Sequence, residues 1–208
     1  MFDTDYTAVY DEGLTTLAKT GGGNIVTVTG NNCELANLDI DNYGSTASSA
    51  IKIQGVNTVL RNVVAQGVPG SCGIWLNTNS WNCQFWNVRT VNCLQGIRLD
   101  DADANNLQVF GGVLYSNVAS AVLIDYSGGD NLHVYGTDFE GTATTTGICV
   151  NAENSIMRLI GPRFETLNVG VNWQAGKGAN DVILAPSFSG VTTKYSGTIP
   201  ATAEINDT

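Results

Sequence analysis

The tripeptides Asp138-Phe139-Glu140 and Arg163-Phe164-Glu165 stand 25 residues apart in the chain. If one segment lies over the other, Glu140 stacks on Glu165 and Asp138 on Arg163. Two carboxylates about 5 Å apart repel, and that repulsion tends to hold a proton on one of them. A proton donor beside an ionised carboxylate is what glycoside hydrolysis requires. Separations of about 5–5.5 Å suit retention and about 6.5–9.5 Å suit inversion. Glu140 and Glu165 are therefore the first candidate catalytic pair. Asp138, on a diagonal of about 8 Å between Cα atoms from Glu165, is the alternative partner. Arg158 and Arg163 are candidates to hold an acidic sugar or to orient a carboxylate. The same residues also fit an unreactive surface, with Asp138 and Arg163 in a weak ion pair and two solvated glutamates. His133 is the single histidine. It lies between inward Leu132 and Val134, so it points outward, as a contact residue or simply an exposed one.

These assignments need an element that puts residues one repeat apart into contact. The sequence carries such a repeat. "AIKIQG" (50–55), "GIWLNT" (73–78), "GIRLDD" (96–101), "AVLIDY" (121–126), "GICVNA" (147–152) and "GVNWQA" (170–175) recur, with "IVTVTG" (25–30) as a looser first copy. A second piece follows each: "NCELAN" (32–37), "NTVLRN" (57–62), "NCQFWN" (82–87), "NLQVFG" (106–111), "NLHVYG" (131–136), "SIMRLIG" (155–161) and "DVILAPS" (181–187). Self-similarity at a fixed period signals a repeat architecture. Within each unit the apolar residues alternate with period 2, between Gly and Asn turns, and no stretch has the period of a helix. A propeller blade takes about 40–45 residues, and the fixed spacing of a leucine-rich repeat is missing. The reading is all-β: a single-stranded right-handed parallel β-helix of seven to eight coils of roughly 25 residues, rungs about 4.8 Å apart. Residues 1–24 form an N-terminal cap or lead-in segment, with room for one turn of helix. Residues 25–195 form the β-helix, and 196–208 an exit strand or tail. Polar loops project at 42–49 and 66–72.

Alternation then assigns directions. One inward column runs through Cys33, Thr58, Cys83, Leu107, Leu132, Met157 and Val182. A second runs through Leu35, Leu60, Phe85, Val109, Val134, Leu159 and Leu184. A third runs through Val28, Ile53, Leu76, Leu99, Ile124, Val150 and Trp173. Cys33 and Cys83 are small core residues, whereas Cys72, Cys93 and Cys149 lie near turns or outward.

One outward column reads Ala36, Arg61, Trp86, Phe110, Tyr135, Ile160. Three successive aromatic rings facing solvent make an apolar patch that marks a binding surface. Trp86, Phe110 and Tyr135 are candidates to receive sugar rings on their faces, unless another subunit covers them. Trp75 and Arg98 are open to the same two readings. Asp100 and Asp125 look like a catalytic dyad. Yet every coil places an amide or acid in their column (Gln54, Asn77, Asp100, Asp125, Asn151, Gln174), and a turn-capping ladder explains them.

Composition narrows the partners. The chain has 208 residues and a formal net charge of −10, with only 9 Lys and Arg. Nucleic acid and membrane insertion are not expected, because the first needs a basic surface and the second a long apolar run. The five cysteines show no zinc spacing and suit reduced thiols made in a reducing cytoplasm. "MFDTDYTAVYDEG" lacks the apolar core of a signal peptide. "DDAD" (100–103) lacks an EF-hand pattern, "TGGGN" is not followed by the phosphate-loop GK[ST], and neither GxSxG nor HExxH occurs. No cofactor and no metal is expected.

The stacked "GIxL(N/D)" and "N-x-φ-x-N" units resemble the right-handed parallel β-helix of the pectate-lyase-like superfamily, and within it bacteriophage tailspike and appendage proteins. The likeness spans residues 25–195 and rests on the coil pattern. It implies a virion protein, synthesised in the host cytoplasm, that assembles as a homotrimer. It also implies that the protein binds, and in some members cleaves, bacterial surface polysaccharide, either capsule or O-antigen. A glycoside hydrolase, a non-catalytic adhesin, a structural shaft and a polysaccharide lyase are the functions this resemblance leaves open.

Overall fold

The computed structural model describes residues 7–9, 15–19, 23–42, 49–67, 70, 72–101, 103–152 and 156–207; of the expected loops at 42–49 and 66–72, residues 43–48, 68, 69 and 71 lie outside them. All regular elements among the described residues are strands, and every strand pair is parallel. The chain winds as a parallel β-helix. One sheet stacks eight strands, among them Val26–Val28, Gln95–Leu99 and Thr193–Gly197. The other stacks two ladders side by side, such as Asn131–Tyr135 followed by Asp138–Glu140 within one coil. The stack extends to both ends of the chain: Thr7–Val9 and Thr15–Lys19 pair with Cys33–Asn42, and Glu204–Asn206 pairs with Val182–Leu184.

The corner between the two ladders turns on a left-handed residue in each coil: Asn37, Asn62, Asn87, Gly111 (followed by a second, Gly112), Gly136, Gly161, then Ala185, the first of each with φ between 49° and 62°. Only Gly and, at lower cost than other residues, Asn adopt this conformation routinely. The Asn or Gly ending the second pieces up to 155–161 is thus the chain's corner signal, and only "DVILAPS" turns on another residue, Ala185. The asparagines also bond along the axis: Asn87 Nδ2 donates to Asn62 Oδ1 (3.0 Å) and Asn62 Nδ2 to Asn37 Oδ1 (3.1 Å). At Gly136 an added Cβ would meet nothing within 4 Å, so only backbone strain opposes a side chain. Gly136→Ala is expected to cost roughly 1–2 kcal/mol in urea unfolding, and Gly136→Asn clearly less. Equal losses in the two variants would contradict the strain argument.

The glycines of the "GI" repeats have a different cause. A Cβ on Gly147 would lie 2.5 Å from the Gly170 carbonyl oxygen and 3.0 Å from the Phe164 ring; one on Gly96 would lie 2.8 Å from Thr90 Oγ1. At these positions a side chain from the other sheet reaches the glycine backbone and leaves no room for a Cβ. Inside, the rings of Phe139, Phe164 and Phe188 stack at 4.8 and 5.1 Å.

All three inward columns differ from the sequence reading at one position each. Ile124 stands over Ile97, and Tyr126 over Leu99. The Gln95–Leu99 to Val122–Tyr126 step is 27 residues, while Leu107 to Leu132 on the other sheet is 25. A longer turn before Val122–Tyr126 and a shorter one after it compensate, so the period stays near 25 although one strand has slid by two. Asp125 therefore stands over Arg98, not in the column of Asp100. At the C-terminal end, Arg158 pairs with Val182 and Ile160 with Leu184, so Val182 and Leu184 point outward and Ile183 is the core residue. The inward position next to Met157 belongs to Asp181, which is fully buried. Its Oδ1 accepts the Met157 amide and its Oδ2 the Trp173 indole Nε1–H, both at 2.7 Å. An acid can occupy a core column here because both oxygens find donors. Cys72 and Cys93 are buried rather than peripheral, with burial pushing the Cys93 thiol up to about 12. Cys149 is half-buried on the outward face, and Cys33 and Cys83 sit in the core as expected.

Candidate functional site

The outer face of the first ladder carries two parallel columns. In one, Gln84, Gln108, His133 and Arg158 succeed one another in register; in the other, Trp86, Phe110, Tyr135 and Ile160 do. Strand alternation places i and i+2 on one face, so each apolar side chain lies beside a planar polar one. The apolar column is a ridge: Trp86 and Ile160 are 36% and 41% exposed, and Phe110 and Tyr135 are half-buried.

The rings do not lie flat. Trp86 and Phe110 have centroids 4.0 Å apart with planes at 15°, and Phe110 and Tyr135 5.0 Å apart at 6°. Coplanar rings side by side would collide at that separation, so they stack face on face. Arg61 takes the outer side of the pile, its Cζ 5.3 Å from the Trp86 ring centre, and its Nε donates to Glu34 at 2.7 Å. The ridge therefore offers solvent a row of ring edges. Stacking of sugar rings on three successive open faces, as the spacing suggested, is not available.

His133 packs edge-on against Tyr135, 6.4 Å between centres. Its Nε2 is shielded and has no hydrogen-bond partner among the described residues. Burial, and then the positive charge of Arg158, lower its pKa, so the imidazole is neutral at pH 7. Arg158 is exposed and forms no ion pair among the described residues.

Past the corner, the second ladder brings the expected acidic group together. Asp138 pairs with Arg163, and Glu140 with Glu165; Tyr115 precedes Glu140 in its column. Phe139 and Phe164 point inward and are fully buried, which fixes the charged neighbours outward. Arg163 binds all three carboxylates: Nη2 reaches Asp138 Oδ2 (3.1 Å) and Glu140 Oε1 (3.0 Å), and Nη1 reaches Glu165 Oε2 (2.8 Å). The hydrogen bond and charge of Asp138, followed by Glu165 and Glu140, raise the arginine's pKa. The carboxylate side chains are 33%, 34% and 38% exposed. They stand in solvent around a cation, without the apolar pocket that makes a carboxyl a general acid. Replacing Arg163 with Gln leaves three like charges in adjacent positions. The variant is expected to lose more stability at low salt than at about 1 M salt, where screening weakens the repulsion; equal losses in urea unfolding at both would show that the cluster is not coupled.

On the opposite sheet Trp75 is already occupied. Lys52 Nζ and Arg98 Cζ lie 4.5 and 5.2 Å from its ring centre, and its Nε1–H donates to Asp100 at 2.7 Å. Asp100 also pairs with Arg98 at 2.6 Å, and Asp125 accepts from Gln95 and Ser127. Both aspartates thus serve local structure. The sequence reading passed over Trp81, at 45% the most exposed large apolar residue among those described. Its signal was an aromatic directly before a corner asparagine, outside the alternating columns.

No protein family matches the sequence, and no curated protein matches it. Among solved structures the chain is similar to the A-modules of the Azotobacter vinelandii mannuronan C-5 epimerases AlgE6 and AlgE4. Identity is 13% and 11%, with 94% of this chain covered in each case and 81% and 82% of those chains; both TM-scores are 0.37.

Proposed function

We propose that this chain is the polysaccharide-recognition module of a bacteriophage tailspike or appendage. In this reading it is a homotrimer on the virion that binds bacterial capsule or O-antigen without cleaving it. The observation that carries the reading is the paired surface of the first ladder. An apolar ridge four coils long runs beside amide, imidazole and guanidinium groups in register. A sugar polymer presents the same mixture, apolar C–H patches and hydroxyls, and a polymer lying along the axis meets one ridge residue per rung. The ridge contributes by removing apolar area from water rather than by ring stacking. Arg158, an exposed cation without an ion pair among the described residues on a chain of net charge −10, suits a carboxylate or phosphate on that polymer. The coil-pattern resemblance supplies the virion setting and the trimer.

Hydrolysis by Glu140 and Glu165, with Asp138, is the second reading; their adjacent register favours it, and their sequestration by Arg163 opposes it. The test incubates the purified protein with capsule and O-antigen preparations and measures both retention and chain length. Binding with unchanged chain length is expected, and the Trp86→Ala/Tyr135→Ala double variant should lose at least about tenfold in affinity. Shortened polymer, abolished by Glu140→Gln or Glu165→Gln, would replace this reading with the hydrolase. Full affinity in the double variant would remove the ridge from the account. Sedimentation equilibrium tests the trimer.

A further inference from the structure

On four successive coils the first corner also carries an asparagine column: Asn32, Asn57, Asn82 and Asn106, all with φ between 55° and 58°. Its amides should bond rung to rung as those of the other corner do. Asn57 Nδ2 donates to Asn32 Oδ1 (2.9 Å), and Asn106 Nδ2 donates to Asn82 Oδ1 (2.7 Å). Between Asn57 and Asn82 the ladder is broken. Asn57 Oδ1 and Asn82 Nδ2 make no hydrogen bond among the described residues, and both side chains are exposed. The break leaves one acceptor and one donor, on neighbouring rungs, facing water.

Trp81 stands at this break. Its carbonyl accepts the Asn57 amide at 3.0 Å, and Asn82 follows it in the chain. Ser80 before it and Cys83 after Asn82 are buried, so the chain is anchored on both sides while the indole projects. Trp86 and Trp75 have ring faces engaged by neighbours, and Trp173 is buried. Trp81, by contrast, makes no ring or cation contact among the described residues. Its indole faces are thus free of the aromatic and cationic partners that occupy the rings of the ridge.

We propose that Trp81, Asn57 and Asn82 form a pyranose subsite. The apolar C–H face of one sugar ring rests on the indole. A hydroxyl of that ring fills the ladder break, donating to Asn57 Oδ1 and accepting from Asn82 Nδ2. A hydroxyl is the group that can do both at once. The ligand class is a neutral hexopyranose unit, for the subsite itself contributes an indole and two amides and no charged side chain. The choice of a sugar rests on the proposed polysaccharide function, but the site lies at a different corner from the ridge and is separately testable.

The chain has four tryptophans, so isotope labelling gives four indole N–H signals, assignable by single Trp→Phe variants. The probes are methyl glycopyranosides of glucose, galactose, mannose and rhamnose, titrated to high millimolar concentration. The Trp81 signal is expected to move with at least one probe while the buried Trp173 signal stays. Asn57→Ala and Asn82→Ala should each weaken the response roughly three- to tenfold, the range for loss of one hydrogen bond. Trp81→Ala should abolish binding of that probe with an unchanged thermal midpoint. A Trp81 signal unmoved by every probe, or unaltered affinity in both asparagine variants, overturns the subsite, as does shielding of Trp81 from a soluble quencher by self-association. If surface polymers fail to bind while Trp81 still responds to glycosides, the ridge reading falls and the subsite stands; the reverse result removes the subsite alone.

Discussion

Phe164→Ala is expected to destabilise the protein by about 3–5 kcal/mol, a large part of the stability of an ordinary domain. The ring is fully buried and lies between Phe139 and Phe188 at 4.8 and 5.1 Å. Its edge fits where Gly147 has no side chain, so its removal opens a cavity against backbone on one side and rings on two others. Backbone closes up poorly, which places the cost at the high end for a large-to-small change. Phe164→Leu should lose much less. Urea unfolding measures both, and a loss below about 1 kcal/mol for the alanine variant would mean that the inner stack is not enclosed. The consequence reaches the surface, because Phe164 holds Arg163 and Glu165 outward; loosening it should also weaken the Arg163 cluster.

Asp181→Ala is expected to have the next largest effect. It orphans two buried donors, the Met157 amide and the Trp173 indole N–H, at about 1–3 kcal/mol each. The wild-type residue also carries a pH signature. Burial, partly opposed by those two donors, raises the Asp181 pKa above its ordinary 3.8. A folded-state acid with a raised pKa binds its proton more tightly than the unfolded chain does. Its contribution is therefore fully present below the ordinary value and is lost as pH rises through the folded value. Relative to Asp181→Asn, which does not titrate, the wild type should gain stability on going from pH 7 to pH 3.5. Comparing unfolding free energies of the two proteins across that range isolates the effect from the other carboxylates. A difference independent of pH would show that Asp181 titrates alike in both states.

The register of Glu140 over Glu165 and Asp138 over Arg163 was legible from spacing, since equal coil lengths and strict alternation leave side chains no other direction. The same arithmetic misplaced Ile124 and Asp125, because a long turn followed by a short one keeps the average period while sliding the strand between them. It misplaced Val182 and Leu184 because an acid was not expected in a core column; only the donors around Asp181 make that position tenable. Cys72 and Cys93 read as near turns or outward, outside the inward columns, yet both are buried.

By itself, the sequence determined the winding. Apolar alternation, together with Asn or Gly wherever the backbone must turn left-handed, admits stacked coils and little else. It also determined which residues face outward along most of the stack. The tertiary structure alone decided what those outward groups do to one another. Repeat spacing specifies which Cα lies over which, whereas chemistry depends on where side-chain ends finish, several bonds away. The same spacing that allowed a carboxylate pair let one guanidinium reach three acids. The same column that allowed an open aromatic platform let its rings close face to face, leaving Trp81 free of any such partner among the described residues.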